Sequence, residues 1–171
     1  MPEYRLLKAR RMNMKMRVGQ GFDVHELVLG RPLILAGVTI PFTKGLAGHS
    51  DADVVIHALI DALLGASALG DIGHHYSDQQ AQYQNIDSRI LLRDVFDKIT
   101  AAGWQIQNVD LTLLAEAPKI APFKAKMLAH LAADLRCAAN QISLKASTTE
   151  TLGFVGRGEG MACLAVALLS Q

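Results

Sequence analysis

Apolar and polar positions change their period several times along this chain, and each change predicts an element. Val18 to His25 and Pro32 to Val38 hold glycines and β-branched residues on either side of Gly30-Arg31-Pro32, which reads as a hairpin or as two consecutive strands. After Ser50 the pattern turns helical. An alanine- and leucine-rich run continues to Leu69 and stops at Gly70, with Ser50 placed to cap it and Asp53 three residues on to complete a capping box. A second helix is predicted from Asp87 or Ser88 to about Ala102, ended by Gly103, and a third from about Pro122 to Arg136. Gln105 to Leu114, Ile142 to Ala146 and Met161 to Leu169 read as strands. Helices and strands interleave and the strands are largely apolar, so the expected fold is an α/β (α+β) sandwich, a mixed β-sheet with helices on one face. Met161 to Leu169 is apolar on both of its faces, so the other face of the sheet needs a partner, which a neighbouring copy of the chain would supply.

Composition narrows this picture. Half of the 171 residues are hydrophobic (50%), enough for one domain with a real core, expected over residues 16–171. Residues 1–15 carry five basic residues and one acidic residue without an apolar period, and are expected to form a flexible N-terminal extension; they are short and serine-free for a transit peptide. Seventeen basic residues against sixteen acidic ones give a net charge of +1, too balanced for a nucleic-acid surface, so small ligands are the expected partners. Cys137 and Cys163 lie far apart in apolar stretches and read as buried free thiols, which suits a reducing compartment. With no apolar run of the roughly 18 residues a membrane span needs, and no secretory core at the start, a cytoplasmic location is expected.

Four constellations carry candidate chemistry. Asp23 and His25 are two apart on a predicted strand, so their side chains project to one side, and His57 on the following helix could complete a three-ligand metal site with an open fourth position. Asp53, His57 and Asp61 recur at four-residue spacing, which reads either as a solvated face or as a stripe whose carboxylates hold the second imidazole nitrogen. His49-Ser50-Asp51 stands where a helix N-terminus could receive a phosphate, although Ser50 as a simple cap fits as well. Ser147-Thr148-Thr149-Glu150 followed by Gly153-Phe154-Val155-Gly156-Arg157-Gly158-Glu159-Gly160 offers hydroxyls, a carboxylate, an arginine and backbone room for a diphosphate with its cation, or else a tight turn between strands. Asp71-Ile72-Gly73 through Asp78 can bind hydroxyls or be a plain polar loop, and His74 and His75 within it are expected to face solvent. The chain has no phosphate-loop lysine motif, and Gly19-Gln20-Gly21 lacks the third glycine of a dinucleotide fingerprint.

Taken together, GQGFDVHEL, GLAGHSDADVVIHALIDALLGASALGDIG, NVDLTLLAEAPKI and LKASTTETLGFVGRGEG resemble the 2-C-methyl-D-erythritol 2,4-cyclodiphosphate synthase family, in its order, over about residues 16 to 170. The resemblance implies zinc on Asp23, His25 and His57, and a second divalent cation, Mg²⁺ or Mn²⁺, held with the help of Glu150. It implies His49 and Ser50 beside the substrate phosphates, with His49 and Thr148 in the catalytic set and Ser147 and Thr149 flanking. Asp71, Ile72, Gly73 and Asp78 would grip the methylerythritol hydroxyls, and Ala115 through Lys119, with Pro118 and the adjoining Ile120, would form the cytosine pocket. Phe154 and Arg157 would line a central channel that can hold an isoprenoid diphosphate in a homotrimer whose active sites lie between subunits.

Five positions depart from the family's pattern: Tyr76 and Ser77 in Tyr76-Ser77-Asp78 replace phenylalanine and proline, Gln80 replaces an acid, Ile120 replaces a methionine, and Ser147 replaces a threonine. The implied reaction is an intramolecular phosphoryl transfer releasing CMP, a lyase chemistry of the methylerythritol phosphate route to isoprenoids. A zinc hydrolase giving a linear product and a non-catalytic isoprenoid-diphosphate binder are the rival readings.

Overall fold

A computed structural model describes residues 14–171 of the chain, so the predicted extension lies, but for its last two residues, outside the described residues. Lys15 already pairs with Gln171 through both backbone groups, at 2.9 and 3.0 Å. The chain begins with the long strand β1 (Met16–Leu29), followed by short strands β2 (Leu33–Leu35), β3 (Val38–Ile40) and β4 (Lys44–Leu46). Helix α1 (Val54–Ser67), the single turn α2 (Ile72–His75) and helix α3 (Ser88–Ala101) lead to strand β5 (Gln105–Leu114). Helix α4 (Lys124–Asp134), strand β6 (Ile142–Ser147), the single turn α5 (Gly153–Gly156) and strand β7 (Gly160–Ser170) complete the order.

Five strands form one mixed sheet in the order β4-β1-β7-β5-β6, in which only β5 and β6 run parallel. The predicted early hairpin takes another form. β2 pairs with β3 in a separate two-stranded ribbon, while β1 runs on past His25 to Leu29, pairing with β4 and β7. The ribbon's turn fits this: Ala36 and Gly37 both have positive φ, and Leu33, Leu35, Val38 and Ile40 bury their side chains in the core.

Alternation along the sheet separates its two faces. Val109, Leu111, Leu113, Leu144, Cys163, Ala165 and Ala167 are buried beneath the helices. Val18, Phe22, Val24 and Val166 point the other way and are exposed, an uncovered apolar band along the middle of the sheet. Gly19 and Gly21 let α1 lie directly on β1. A Cβ on Gly19 would stand 2.0 Å from the Ala62 carbonyl oxygen, and one on Gly21 1.9 Å from that of Ala58. These two glycines therefore serve helix packing rather than a nucleotide. Across α3 and α4, buried Asp134 receives Arg89 at 2.6 and 3.0 Å and Arg93 at 2.9 Å, which fixes the start of α3 against α4. Among the described residues no helix is long and apolar enough to cross a membrane.

Candidate active site

Helix α1 does not begin as its sequence suggests. Its N-cap is Asp53, whose carboxylate accepts from Val55 and Ile56 at 3.1 Å each, while Ser50 accepts from Ala52 two residues on. Asp53 also accepts from Ala36 at 2.9 Å and Gly37 at 2.6 Å, tying the β2–β3 turn to the helix start. Burial pushes its pKa up to about 6 despite these backbone donors. Because Asp53 takes these first-turn N–H groups, the helix terminus is not available to a phosphate in the way the sequence suggested.

With α1 seated on the β1 glycines, His57 meets the strand two and four residues beyond Gly21. Asp23 Oδ2 lies 3.0 Å from His25 Nε2 and 3.1 Å from His57 Nδ1, and the two histidine nitrogens are 3.1 Å apart. Among the described residues these are the only three metal-ligating side chains that converge in this way. Burial alone would raise the pKa of Asp23, but the hydrogen bond from His25 and the charge interaction with both neighbouring histidines outweigh it and hold the carboxylate well below its usual range. Burial disfavours the charged form of His25, yet its bond to Asp23 prevails and raises its pKa. An ionised carboxylate and two imidazole nitrogens facing one point can hold a divalent metal ion.

Each imidazole is steered from behind. His25 Nδ1 donates to the Ala47 carbonyl at 2.6 Å, leaving Nε2 to face the cluster. His57 Nε2 faces Ser88 Oγ at 2.9 Å and Ser50 Oγ at 3.1 Å. The predicted carboxylate stripe does not do this work: Asp53 is engaged as described, and Asp61 accepts from the Ile72 N–H at 2.8 Å. Ser88 and the Ala47 carbonyl are functional partners that spacing alone did not find. Arg31 donates to the carbonyls of Gly48 at 3.0 Å and Ser50 at 2.7 Å, which holds the loop beneath His25.

A cavity of about 460 Å³ opens in front of this cluster, lined by His25, His49, Ser50, His57, Gly73 and Asp78 among others. His49 Nε2 sits 3.3 Å from the Gln80 carbonyl at its rim, and Asp71 caps α2 by accepting from His74 at 2.8 Å. His75 is bonded to the Leu69 carbonyl at 2.8 Å and is partly buried, so only His74 is exposed as expected. Tyr76, at the head of the departing loop, donates to Asp94 at 2.5 Å and receives Lys98 at 3.1 Å.

The other predicted site residues gather elsewhere. Ala115, Pro118, Lys119 and Ile120 line a separate cavity of about 440 Å³ with Ser147 and Thr148, at the ends of β5 and β6. Ala117-Pro118 is a cis peptide. Thr148 Oγ1 donates to Glu150 at 2.8 Å, and Thr149 N donates at 2.8 Å to Glu116, a partner the sequence did not single out. Glu150 has φ of 53°, in the left-handed region. The glycine-rich stretch is one helical turn, α5, leading into β7 rather than a bare turn, and Phe154 on it is exposed. Arg157 pairs with Glu159 at 2.8 and 2.9 Å. The two cavities share no lining residue within one chain. Both cysteines are free, with Cys163 buried and its thiol pushed up to about 12 by that burial, whereas Cys137 is only half-buried.

Comparison with known proteins is consistent over nearly the whole length. A profile of the YgbB family matches residues 16–170. The 2-C-methyl-D-erythritol 2,4-cyclodiphosphate synthase of Bordetella pertussis is 58% identical over 160 residues, which are 94% of this chain and 99% of that protein. The bifunctional IspDF of Campylobacter jejuni superposes with a TM-score of 0.89 at 45% identity over 92% of this chain, which spans 42% of that longer one. The Plasmodium falciparum IspF, solved as a CDP complex, superposes with a TM-score of 0.80 at 32% identity over 90% of this chain and 95% of that one.

Proposed function

The chain belongs to the YgbB family of 2-C-methyl-D-erythritol 2,4-cyclodiphosphate synthases, and on that premise we propose how its residues share the conversion of 4-diphosphocytidyl-2-C-methyl-D-erythritol 2-phosphate to the cyclic diphosphate and CMP. It is a lyase of the methylerythritol phosphate pathway. The 2-phosphate oxygen attacks the β-phosphorus of the same molecule, a bond forms there, and the bond to the departing CMP breaks. Such a transfer needs an in-line pose and positive charge near the phosphates more than it needs a protein nucleophile.

The observation that carries this reading is the meeting of Asp23, His25 and His57 at one wall of a 460 Å³ cavity. Bonds of about 2.0–2.1 Å around a tetrahedral zinc ion place its donor atoms roughly 3.3 Å apart. The observed separations of 3.0 to 3.1 Å fit that ion after a slight opening. Zinc held by Asp23, His25 and His57 would supply Lewis acidity and positive charge to the phosphates, and a magnesium or manganese ion held with the help of Glu150 would supply further positive charge. Ser50, beside His57, and His49 offer donors to phosphate oxygens in the same cavity. Gly73 and the Ile72 backbone, with Asp71 and Asp78, receive the methylerythritol hydroxyls. Ala115, Pro118, Lys119 and Ile120 enclose the cytosine, and Ser147, Thr148 and Thr149 approach the diphosphate.

These two groups of residues line different cavities in one chain, so we place them in one active site only across a subunit boundary. The exposed band of Val18, Phe22, Val24 and Val166 supports a homotrimer packed through the uncovered sheet face. Phe154 and Arg157 would then stand at a central channel open to an isoprenoid diphosphate. The catalytic domain would include Lys15, which pairs with Gln171, and run to residue 171, in a cytoplasmic enzyme.

The test is direct. Incubated with zinc, magnesium and the cytidyl substrate, the protein should release CMP in step with a cyclic diphosphate seen by ³¹P NMR. A linear phosphate product would instead favour a hydrolase, and no turnover at all would favour a binding protein.

A further inference from the structure

We propose that Ser88 and Asp51 act as a relay that fixes the tautomer of His57, presenting its Nδ1 lone pair to the metal. This rests on the reading of Asp23, His25 and His57 as a zinc site. The two histidines solve the same problem by different means. His25 donates Nδ1–H to a backbone carbonyl, which can only accept, so its tautomer is settled by the main chain. His57 has only hydroxyls behind it, and a hydroxyl can donate or accept.

What decides the matter is where the Ser88 proton goes. Ser88 is fully buried and its hydroxyl donates to Asp51 Oδ1, while its N–H donates to Asp51 Oδ2 at 3.1 Å. With its single proton committed to that carboxylate, the Ser88 oxygen has only lone pairs left to turn toward His57 Nε2, 2.9 Å away. Nε2 must then carry the proton and donate it, because two lone pairs at that distance repel. The opposite tautomer would accept from Ser50 at 3.1 Å and donate Nδ1–H to Asp23, placing a proton where the ion must sit. The carboxylate therefore works through the serine and the imidazole, a longer form of the carboxylate–histidine–metal arrangement. It also leaves the Ser50 proton for Ser88, 3.4 Å away, or for an anion in the cavity.

Ser88 and Asp51 are positioning residues, and their rival role is a plain staple holding the start of α3 to the preceding loop. Metal affinity of the folded protein separates the two. Zinc alone is titrated into the metal-stripped protein against a chromogenic chelator, alongside the thermal midpoint of the stripped form. Ser88→Ala should weaken zinc binding by about 10- to 100-fold, and Ser88→Thr, which keeps the hydroxyl, should recover most of it. Asp51→Ala should weaken binding similarly although the serine remains, and the double variant should be no weaker than Ser88→Ala alone. A lower thermal midpoint with zinc affinity within about twofold of the parent would reduce the pair to a staple and overturn the relay. If these variants do not fold, the parent still decides: ¹⁵N NMR of its zinc form should show His57 bound through Nδ1 with a proton retained on Nε2. Binding through Nε2 would refute the relay, whereas a parent that binds no zinc would instead refute the zinc reading on which it rests.

Discussion

The two cavities at the working end of the sheet are built on different terms. Around Asp23, His25 and His57 each imidazole is held from behind, by the Ala47 carbonyl or by Ser88, and the helix that carries His57 rests on backbone. Around Ala115 to Ile120 and Ser147 to Glu150, Lys119, Thr148 and Glu150 are exposed, and Thr148 and Glu150 bond chiefly to each other. A metal centre needs its donors placed before the ion arrives, because disorder in them is lost affinity. A surface that awaits another molecule can leave its polar groups in water until then. The metal-ligating donors of the first cavity are held in place within the chain, whereas the polar groups of the second stand exposed.

This contrast can be broken most sharply at its rigid end. His57→Ala should lower bound zinc from about one ion per chain to near none and abolish turnover, measured by metal analysis and CMP release; full metal content would remove His57 from the ligand set. At the open end, Thr148→Ala should also lose activity but keep its zinc. Refolding the two inactive variants together should partly restore turnover, since some mixed trimers would hold one interface of sound residues. Confirmed mixed trimers without activity, or an active monomer by light scattering, would end the shared-site reading. Gly21→Ala should cost about 3 kcal/mol or more in chemical denaturation and weaken zinc binding with it, because backbone of α1 occupies the space.

A smaller effect concerns pH. The folded pKa of Asp53, about 6, lies above its unfolded value of 3.8, so the folded state binds the extra proton between them. Its contribution to stability is therefore greatest below pH 4 and is lost as pH rises through 6. Denaturation from pH 4 to 7 should show this slope in the parent and not in Asp53→Asn; equal slopes would mean the carboxyl is ionised throughout. The least effect is expected from deleting residues 1–13, which should change melting temperature and turnover little.

Much of the rigid end was legible because it obeys short-range rules. Two-residue alternation placed Asp23 and His25 together, and the alanine-leucine period put His57 on a helix. The capping residue was misread because Ser50 and Asp53 both satisfy the preference for N-caps, and only the β2–β3 turn, docking on Asp53, decides between them. The Asp53-His57-Asp61 stripe was real as spacing but misleading as chemistry, since backbone N–H groups capture both carboxylates. Ser88 was invisible for another reason. It stands 31 residues from His57, at a helix start indistinguishable from any other, and only the packing of α3 brings it there. The open end was legible as motifs but not as a place, because its residues and the metal cluster do not meet within a single chain.

The close seat of α1 on Gly19 and Gly21 also makes β1 a strip read from two sides. If every position from Val18 to His25 were randomised in a library and selected for growth, tolerated substitutions should recur with a period of two. Gly19 and Gly21 would accept almost nothing for want of space, and Asp23 and His25 almost nothing for want of donors. Val18, Gln20, Phe22 and Val24 would vary within whatever a subunit packed on them in the proposed homotrimer can accommodate. The same short tape would thus record the distance to the helix on one edge and, in the proposed homotrimer, the shape of the neighbour on the other.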